Sequence, residues 1–172
     1  MSNTDDLPDL RVSGVAQESF VDGPGVRYTL FLQGCPHACP HCHNPGTHDT
    51  AGGTVMNGCS VVSEVEENRL LDGVTLSGGE PFMQAEALVP LAARLRDKGY
   101  HLMAYSGYTW ERLLSDPGRR RLLELMDVLV DGPYLHKDRS LSLQWRGSRN
   151  QRVIDVQASL LQEGLPPVLI ET

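Results

Sequence analysis

The feature that most constrains the fold is an alternation of short apolar runs with segments of helical periodicity. Runs rich in β-branched and aromatic residues predict strands at residues 26–32, 74–76, 101–105, 128–130 and 152–156. Apolar residues recur at helical spacing between the strands, most clearly over residues 88–95, where Pro90 is expected to begin or kink the helix. This alternation is typical of α/β proteins with a parallel sheet and right-handed crossovers.

Chain length limits how such a sheet can close. About five strands in 172 residues are too few for an eight-fold barrel, so we expect an open partial (β/α) barrel. One domain is predicted over residues 10–172, after a loose N-terminal tail over residues 1–9. A loop is predicted over residues 44–58 and a short helix over residues 60–68.

Distinctive polar segments follow the predicted strands. They are a cysteine-rich loop, residues 77–81, residues 105–108 and residues 131–133. In parallel α/β folds, ligands bind in the loops beyond the carboxyl ends of the strands. We therefore expect these segments to meet at one site.

Three of the four cysteines lie in the loop after the first predicted strand. Three residues separate Cys35 from Cys39 and two separate Cys39 from Cys42, whereas Cys59 lies far beyond them. Thiolates are soft ligands for iron, and three of them on a four-iron cluster leave one iron open for chemistry. Cys59 is interpreted as a bystander, because it stands alone.

A zinc site is the alternative explanation of the same cysteines. Cys39 and Cys42 with Cys59 and one histidine of the loop region would give four ligands. The candidate histidines are His37, His41, His43 and His48. The chain has no second C-x2-C pair, which disfavours this interpretation.

Charge and hydropathy exclude several classes of protein. The formal net charge of −7 argues against a nucleic-acid partner, whose phosphates would be repelled on average. No apolar run approaches the roughly 20 residues of a membrane span, and the acidic N-terminus lacks the pattern of a signal peptide. We expect a cytoplasmic protein without membrane association.

Four motifs resemble those of radical S-adenosylmethionine (SAM) enzymes that activate glycyl-radical proteins. The sequence C-P-H-A-C-P-H-C-H-N at residues 35–44 resembles the C-x3-C-x-φ-C signature, with His41 at the aromatic position. D-G-P-G-V-R at residues 22–27 and S-G-G-E-P at residues 77–81 resemble the partner loop and the SAM loop of these activases. Residues 105–111 and 145–155 are similar to anaerobic ribonucleoside-triphosphate reductase-activating proteins.

The resemblance implies a fold, two cofactors and roles for individual residues. The fold is an open partial (β/α) barrel of the radical SAM type, and the cofactors are a 4Fe-4S cluster and S-adenosyl-L-methionine. The implied metal ligands are Cys35, Cys39 and Cys42. The implied cofactor-binding residues are His41, Cys42, His43, Ser77, Gly78, Gly79, Glu80 and Asp131. The implied partner-binding residues are Asp22, Gly23 and Arg27.

The implied reaction is reductive cleavage of SAM, followed by formation of a glycyl radical on a partner. The partner is anaerobic ribonucleotide reductase, and a flavodoxin- or ferredoxin-type protein donates the electron. Two alternatives keep the same chemistry: activation of another glycyl-radical enzyme, or modification of a peptide or metabolite. A zinc or electron-transfer module is the non-enzymatic alternative. Taken alone, the segments around Asp22 and Asp131 also fit ordinary turns.

Overall fold

The described residues form a single mixed sheet with helices packed against it. The structure is a computed structural model and describes residues 6–162 and 164–172. Its strands are β1 Asp9–Ser19, β2 Arg27–Leu32, β3 Thr54–Asn57, β4 Gly73–Gly78, β5 His101–Tyr105, β6 Val128–Asp131, β7 Arg152–Asp155 and β8 Val168–Leu169. The spatial order is β3-β1-β2-β4-β5-β6-β7-β8, so β3 and β8 are the edges.

The centre of the sheet is parallel, as the alternation predicts. β2, β4, β5 and β6 pair in parallel, with Leu30 beside Leu76 and Leu76 beside Ala104. Their side chains are buried, which is usual for parallel strands covered by helices. The outer strands β1, β3, β7 and β8 all pair antiparallel, so an α/β fold with a partly parallel sheet is confirmed.

Helices connect the strands, and the first four of them lie along the chain between parallel strands. Their bounds are α1 Gly58–Glu67, α2 Ala85–Asp97, α3 Trp110–Ser115, α4 Pro117–Leu123 and α5 Val156–Leu160. The prediction that Pro90 begins the second helix is wrong, because α2 is continuous from Ala85 and contains Pro90. None of the helices in the described ranges combines the length and apolar character of a membrane span.

Three strands escaped prediction. β1 has a glycine at position 14 and two irregularities in its register with β2, which break the alternation of apolar and polar residues. β3 lies within residues 44–58, where a loop was expected, and pairs with β1. β8 has only two residues. All three lie at or next to an edge of the sheet, where burial leaves a weak sequence pattern.

Residues 7–9, which were expected to belong to a loose N-terminal tail over residues 1–9, are part of the folded domain. Leu7 is buried in the core and its backbone N–H donates to the thiol of Cys59. β1 begins at Asp9. Residues 1–5 of the expected tail lie outside the described residues.

Candidate metal centre

A cavity of about 370 Å³ lies at the carboxyl ends of the parallel strands and extends down to the loop between β1 and β2. Its lining comprises Asp22, Phe31, Cys35, His37, Cys39, Cys42, His43, Asn44, Thr47, His48, Ser77, Gly78, Gly79, Tyr105, Ser106, Gly107, Gly132, Tyr134, Gly147 and Gln151. The expected meeting of the strand-end segments is therefore observed. All three clustered cysteines reach this cavity.

The cysteine loop leaves β2 through two left-handed turns. Ala38 and His41 have φ angles of 46° and 60°, a region that costs roughly 1–2 kcal/mol for residues with a side chain. The start of the loop is fixed because Gly34 N–H donates to Thr47 O at 2.7 Å. A turn bond from Cys42 N–H to Cys39 O, at 3.1 Å, fixes its end. The loop thus directs three thiols into one space.

The thiols are half-buried and none forms a disulfide. Burial raises the pKa of the Cys35 thiol, and the backbone N–H groups of His37 and Ala38, which hydrogen-bond to its sulfur, oppose that rise. Hydrogen bonds of this kind stabilise a thiolate, which is the form that binds metal. The donor set therefore suits iron.

The position of Cys59 bears on the zinc alternative. In residues 6–162 and 164–172, no three Cys, His, Asp or Glu side chains are grouped to hold one metal ion. Cys59 lies on α1, away from the cavity lining, and accepts a hydrogen bond from Leu7. The zinc alternative with Cys59 as a ligand is therefore not supported.

The glycines after β4 hold the cysteine loop. Gly78 has a φ angle of 92°, and a Cβ there would lie 2.5 Å from Leu32 N. A Cβ on Gly79 would lie 2.3 Å from Gly34 O, next to Cys35. Both glycines also line the cavity. Their small size is therefore required for backbone packing, in addition to any approach of a ligand.

Glu80 does not fit its expected contact with cofactor. Its side chain is fully buried and absent from the cavity lining. The carboxylate accepts hydrogen bonds from Ser106 Oγ, Gly107 N–H, Phe82 N–H and His37 Nε2. Glu80 instead joins the loops around the cavity to one another.

The histidines of the cysteine loop divide between two environments. His43 lines the cavity and packs against Tyr134, with ring centroids 4.6 Å apart. His41 is exposed and packs on His136 at 4.3 Å, outside the lining. The structure therefore brings His43 to the candidate cofactor site and not His41.

The expected cofactor contact of Asp131 is also not supported. The Asp131 side chain is buried and accepts hydrogen bonds from Arg152 Nε at 3.0 Å, Arg152 Nη2 at 2.5 Å and Trp110 N–H at 2.7 Å. Arg152 also binds Glu111, and these two carboxylates raise the pKa of Arg152 further above its usual value. Asp131 therefore links α3 to β7, and its neighbour Gly132 reaches the cavity instead.

The D-G-P-G-V-R segment is mostly turned into the protein. Arg27 is 0% exposed, and its guanidinium donates to Thr75 Oγ1 at 3.0 Å and Val74 O at 2.7 Å. Burial lowers the pKa of Arg27 to about 10. Gly23 is buried too, and a Cβ there would lie 2.8 Å from Met103 Sδ. Both residues are buried, and their expected contacts with a partner stay predictions.

Asp22 is the member of that segment that reaches the cavity. Its carboxylate accepts hydrogen bonds from Ser19 Oγ at 2.6 Å and Thr29 Oγ1 at 3.1 Å. Its backbone carbonyl accepts from Thr75 Oγ1 at 2.8 Å. Asp22 is thus held rigidly at the cavity wall.

Two aromatic residues of the cavity were not singled out from the sequence. Tyr105 ends β5, and burial and the charge of Asp22 raise the pKa of its phenol. Tyr134 follows β6 by three residues. Both stand where a parallel strand ends, so the rule on strand ends supplied a signal. Gln151 also lines the cavity and lies in the segment 145–155, whose similarity to the activating proteins marked the segment without assigning a role to this residue.

The comparisons with known proteins define first the class and then the family. Residues 21–154 match the model of a 4Fe-4S single cluster domain, so the chain is an iron–sulfur protein of that class. Its sequence is 33% identical over 141 residues to an anaerobic ribonucleoside-triphosphate reductase-activating protein of Haemophilus influenzae, covering 76% of this chain and 88% of the relative. The chain belongs to the family of anaerobic ribonucleoside-triphosphate reductase-activating proteins.

Other relatives carry the same name. The protein of Vibrio cholerae is 36% identical over 76% of this chain and 88% of its own length, and that of Enterobacteria phage T4 is 34% identical over 78% and 86%. Among solved structures, QueE from Escherichia coli aligns with 59% of this chain and 53% of its own, with 16% identity and a TM-score of 0.46. The resemblance found in the sequence motifs is confirmed by the named relatives.

Proposed function

We propose that this protein is a radical SAM activating enzyme that generates a glycyl radical on anaerobic ribonucleoside-triphosphate reductase. The observation that carries the proposal is the convergence of three thiols from one loop on a cavity also lined by the Gly78-Gly79 loop and Asp22. Membership in the family of reductase-activating proteins supports the choice of partner. Its cofactors are a 4Fe-4S cluster and SAM.

The ligands of the cluster are Cys35, Cys39 and Cys42 in this proposal. When bound, the reduced cluster and SAM supply the 5′-deoxyadenosyl radical that abstracts hydrogen from a glycine of the partner. Three protein ligands leave one coordination position open, which a reaction at iron requires. The half-buried loop keeps the thiols close to the cavity and restricts solvent around them.

Binding of SAM is assigned to the residues that reach the cavity. Ser77, Gly78 and Gly79 offer backbone groups beside the cysteines, and His43 offers a ring face together with Tyr134. Flat aromatic surfaces pack well against a nucleobase. The earlier expectations for His41, Glu80 and Asp131 are replaced by this set.

The fold is proposed to be the open partial (β/α) barrel of radical SAM enzymes. Support comes from the parallel strands β2, β4, β5 and β6 with a cavity at their carboxyl ends. The edge strands β3 and β8 do not pair with each other, which supports an open sheet over the described residues. One domain over residues 10–172 agrees with that sheet, which contains all the described strands.

The reductase is proposed to contact the segment before β2. Asp22 lies at the cavity wall, and the preceding Phe20 and Val21 are 70% and 75% exposed. Exposed apolar side chains beside a reaction cavity suit contact with a protein partner. A flavodoxin- or ferredoxin-type protein is proposed to deliver the electron. None of the four cysteines forms a disulfide, which agrees with the proposed cytoplasmic location.

The test is reconstitution under anaerobic conditions. We expect the protein with iron, sulfide, SAM and dithionite to release 5′-deoxyadenosine, and to give a glycyl-radical signal by electron paramagnetic resonance (EPR) when the reductase is added. SAM cleavage without a signal on the reductase, but with one on another glycyl-radical enzyme, would reassign the partner. A cluster that leaves SAM intact would contradict the proposed function.

A further inference from the structure

His37 lies between two predicted cluster ligands in the sequence, and its imidazole forms a hydrogen bond to the body of the protein. His37 stands two residues from both Cys35 and Cys39. Its Nε2 lies 2.7 Å from Glu80 Oε2, and since a carboxylate oxygen accepts, Nε2 is the donor. Its ring meets the edge of Tyr108 at 4.5 Å with an interplanar angle of 73°. This ring therefore connects the cysteine loop to the body of the protein.

The acceptor of this bond is unusually well fixed. Glu80 is 0% exposed, and its carboxylate also accepts from Ser106 Oγ, Gly107 N–H and Phe82 N–H. Ser106 and Gly107 belong to the loop after β5, and Phe82 lies two residues beyond Glu80 in the same segment. A buried carboxylate with several donors is rigid, because the loss of any donor would leave a buried charge with one hydrogen bond fewer and no water to replace it. Glu80 is thus a rigidly held hydrogen-bond acceptor in the loop after β4.

The space for the ring is created by a glycine. A Cβ on Gly107 would lie 2.4 Å from His37 Cδ2 and 2.6 Å from Nε2. The ring therefore lies directly against the backbone of the loop after β5. Close packing on one side and a charge-assisted hydrogen bond on the other leave the ring one orientation.

The turn that follows His37 is strained. Ala38 adopts a φ angle of 46°, which an alanine does not favour, so something outside the turn must hold it. Within the described residues, no other side chain between Cys35 and Cys42 forms a hydrogen bond to the rest of the protein. The hydrogen bond from the His37 ring to Glu80 is therefore the side-chain contact that can hold this turn.

We propose that His37 is a positioning residue of the iron–sulfur centre: its hydrogen bond to Glu80 holds the turn between Cys35 and Cys39. The inference rests on the proposed cluster ligands. Contacts that orient the ligands of a metal centre govern how tightly the metal is held and tune its electronic properties. Residues that touch no iron can therefore control the centre.

Three variants separate this role from simple packing. His37→Leu keeps a side chain of similar bulk and removes the donor, whereas His37→Gln keeps an N–H that reaches Glu80. His136→Leu is the matched control, because it removes an exposed ring that packs on the same loop through His41 without a bond to Glu80. Each reconstituted protein is challenged anaerobically with bathophenanthroline disulfonate, without SAM, and iron release is followed by absorbance.

We expect His37→Leu to lose iron about tenfold faster than wild type, as loss of one charge-assisted hydrogen bond predicts. The EPR signal of its dithionite-reduced cluster should also shift. His37→Gln and His136→Leu should resemble wild type in both measurements. Unchanged release and signal in His37→Leu would overturn the proposal. So would equal effects of His37→Leu and His136→Leu, or a His37→Gln variant as impaired as His37→Leu.

Failure of the proposed function would be visible separately. Release of iron is measured without SAM or reductase, so it reports on His37 even if the wild-type protein does not cleave SAM. Thermal unfolding of the apoproteins completes the set. A midpoint that falls equally in both His37 variants, with equal iron release, would assign the ring to packing and overturn the positioning role.

Discussion

The cysteine loop at residues 35–42 and the segment at residues 22–27 both have motif-like sequences, yet they use their side chains in opposite ways. The loop leaves three thiols facing the cavity, without a disulfide. The segment directs Arg27 into the sheet, where strand carbonyls and the Thr75 hydroxyl accept its hydrogen bonds. Only Asp22 of that segment lines the cavity. One motif presents ligands, and the other mainly builds the wall behind them.

The difference follows from the cost of burying polar groups. A guanidinium has five N–H donors, and burial is tolerated only when acceptors surround it, so Arg27 fixes the strands that supply them. A thiol is a weak donor, so it can stay half-buried without such a set of acceptors. A motif therefore locates a functional segment, while burial decides which of its residues touch a ligand.

The strongest test of this contrast removes the thiols. Cys35→Ala, Cys39→Ala and Cys42→Ala should each lose the cluster, with iron content and SAM cleavage falling to background, because each cysteine is a ligand in the proposed cluster. The folded apoprotein should survive. Iron analysis, absorbance and circular dichroism measure these outcomes.

Cys59→Ala is the matched control for the thiols. It removes the acceptor of one hydrogen bond from Leu7, so about 1 kcal/mol of stability should be lost and the cluster kept. A Cys59→Ala protein without iron would mean that four cysteines bind the metal. The open-iron mechanism would then be abandoned.

Arg27 should show the reverse behaviour. Arg27→Met keeps the volume of the side chain but leaves buried carbonyls of Val74 and His101 without their donors, which should lower the free energy of unfolding of the apoprotein by about 3 kcal/mol. Urea unfolding measures this. A stable Arg27→Met protein with a specific defect in activating the reductase would restore Arg27 to the partner surface.

The sequence predicted the centre of the sheet because buried parallel strands are continuous apolar runs. Residues 101–105 were predicted and β5 is His101–Tyr105. The cysteine loop and its place after β2 were equally accessible, since ligand spacing is local. The strands β1, β3 and β8 were missed because pairing at the periphery of a sheet depends on distant partners.

Assignments of individual site residues were less predictable. Glu80 and Asp131 follow strands, as functional acids do, but their carboxylates turn inward to donors that are distant in sequence. Ser106 is 26 positions from Glu80 and Arg152 is 21 positions from Asp131. The direction of such a side chain depends on tertiary packing, and a strand-end rule carries no information about it.

A smaller effect is expected at Asp22, where the two motifs meet. Asp22→Ala should cleave SAM at the wild-type rate under dithionite, because the cysteines are unaffected. The yield of glycyl radical per SAM cleaved should fall about tenfold, since hydrogen abstraction requires a precisely held glycine. EPR of the reductase and chromatography of 5′-deoxyadenosine give the two values.

Ser19→Ala is the control for this variant. It removes the hydrogen bond that Ser19 Oγ donates to Asp22, and keeps the carboxylate at the cavity. If Ser19→Ala and Asp22→Ala lose radical yield equally, the order of the turn matters and the carboxylate does not. Equal losses of SAM cleavage and radical yield in Asp22→Ala would remove Asp22 from the partner site.

The smallest expected effect is a pH dependence of the free energy of unfolding, caused by His101, a hydrogen-bond partner of Arg27. His101 Nδ1 lies 3.0 Å from Arg27 Nη1. Because a guanidinium N–H can only donate, Nδ1 accepts this hydrogen bond, which requires a neutral imidazole. Burial, and then the charge of Arg27, lower the pKa of His101 in the folded protein. The unfolded chain binds a proton near pH 6.5, above the folded pKa, so the free energy of unfolding should decrease as the pH falls below about 6.5.

His101→Asn offers Oδ1 as the acceptor and cannot be protonated, so urea unfolding between pH 7.5 and 5 should give a flatter profile than wild type. Asp127 also faces His101, and its carboxylate opposes the lowering. Identical profiles for wild type and His101→Asn would show that this histidine does not couple proton binding to the buried arginine.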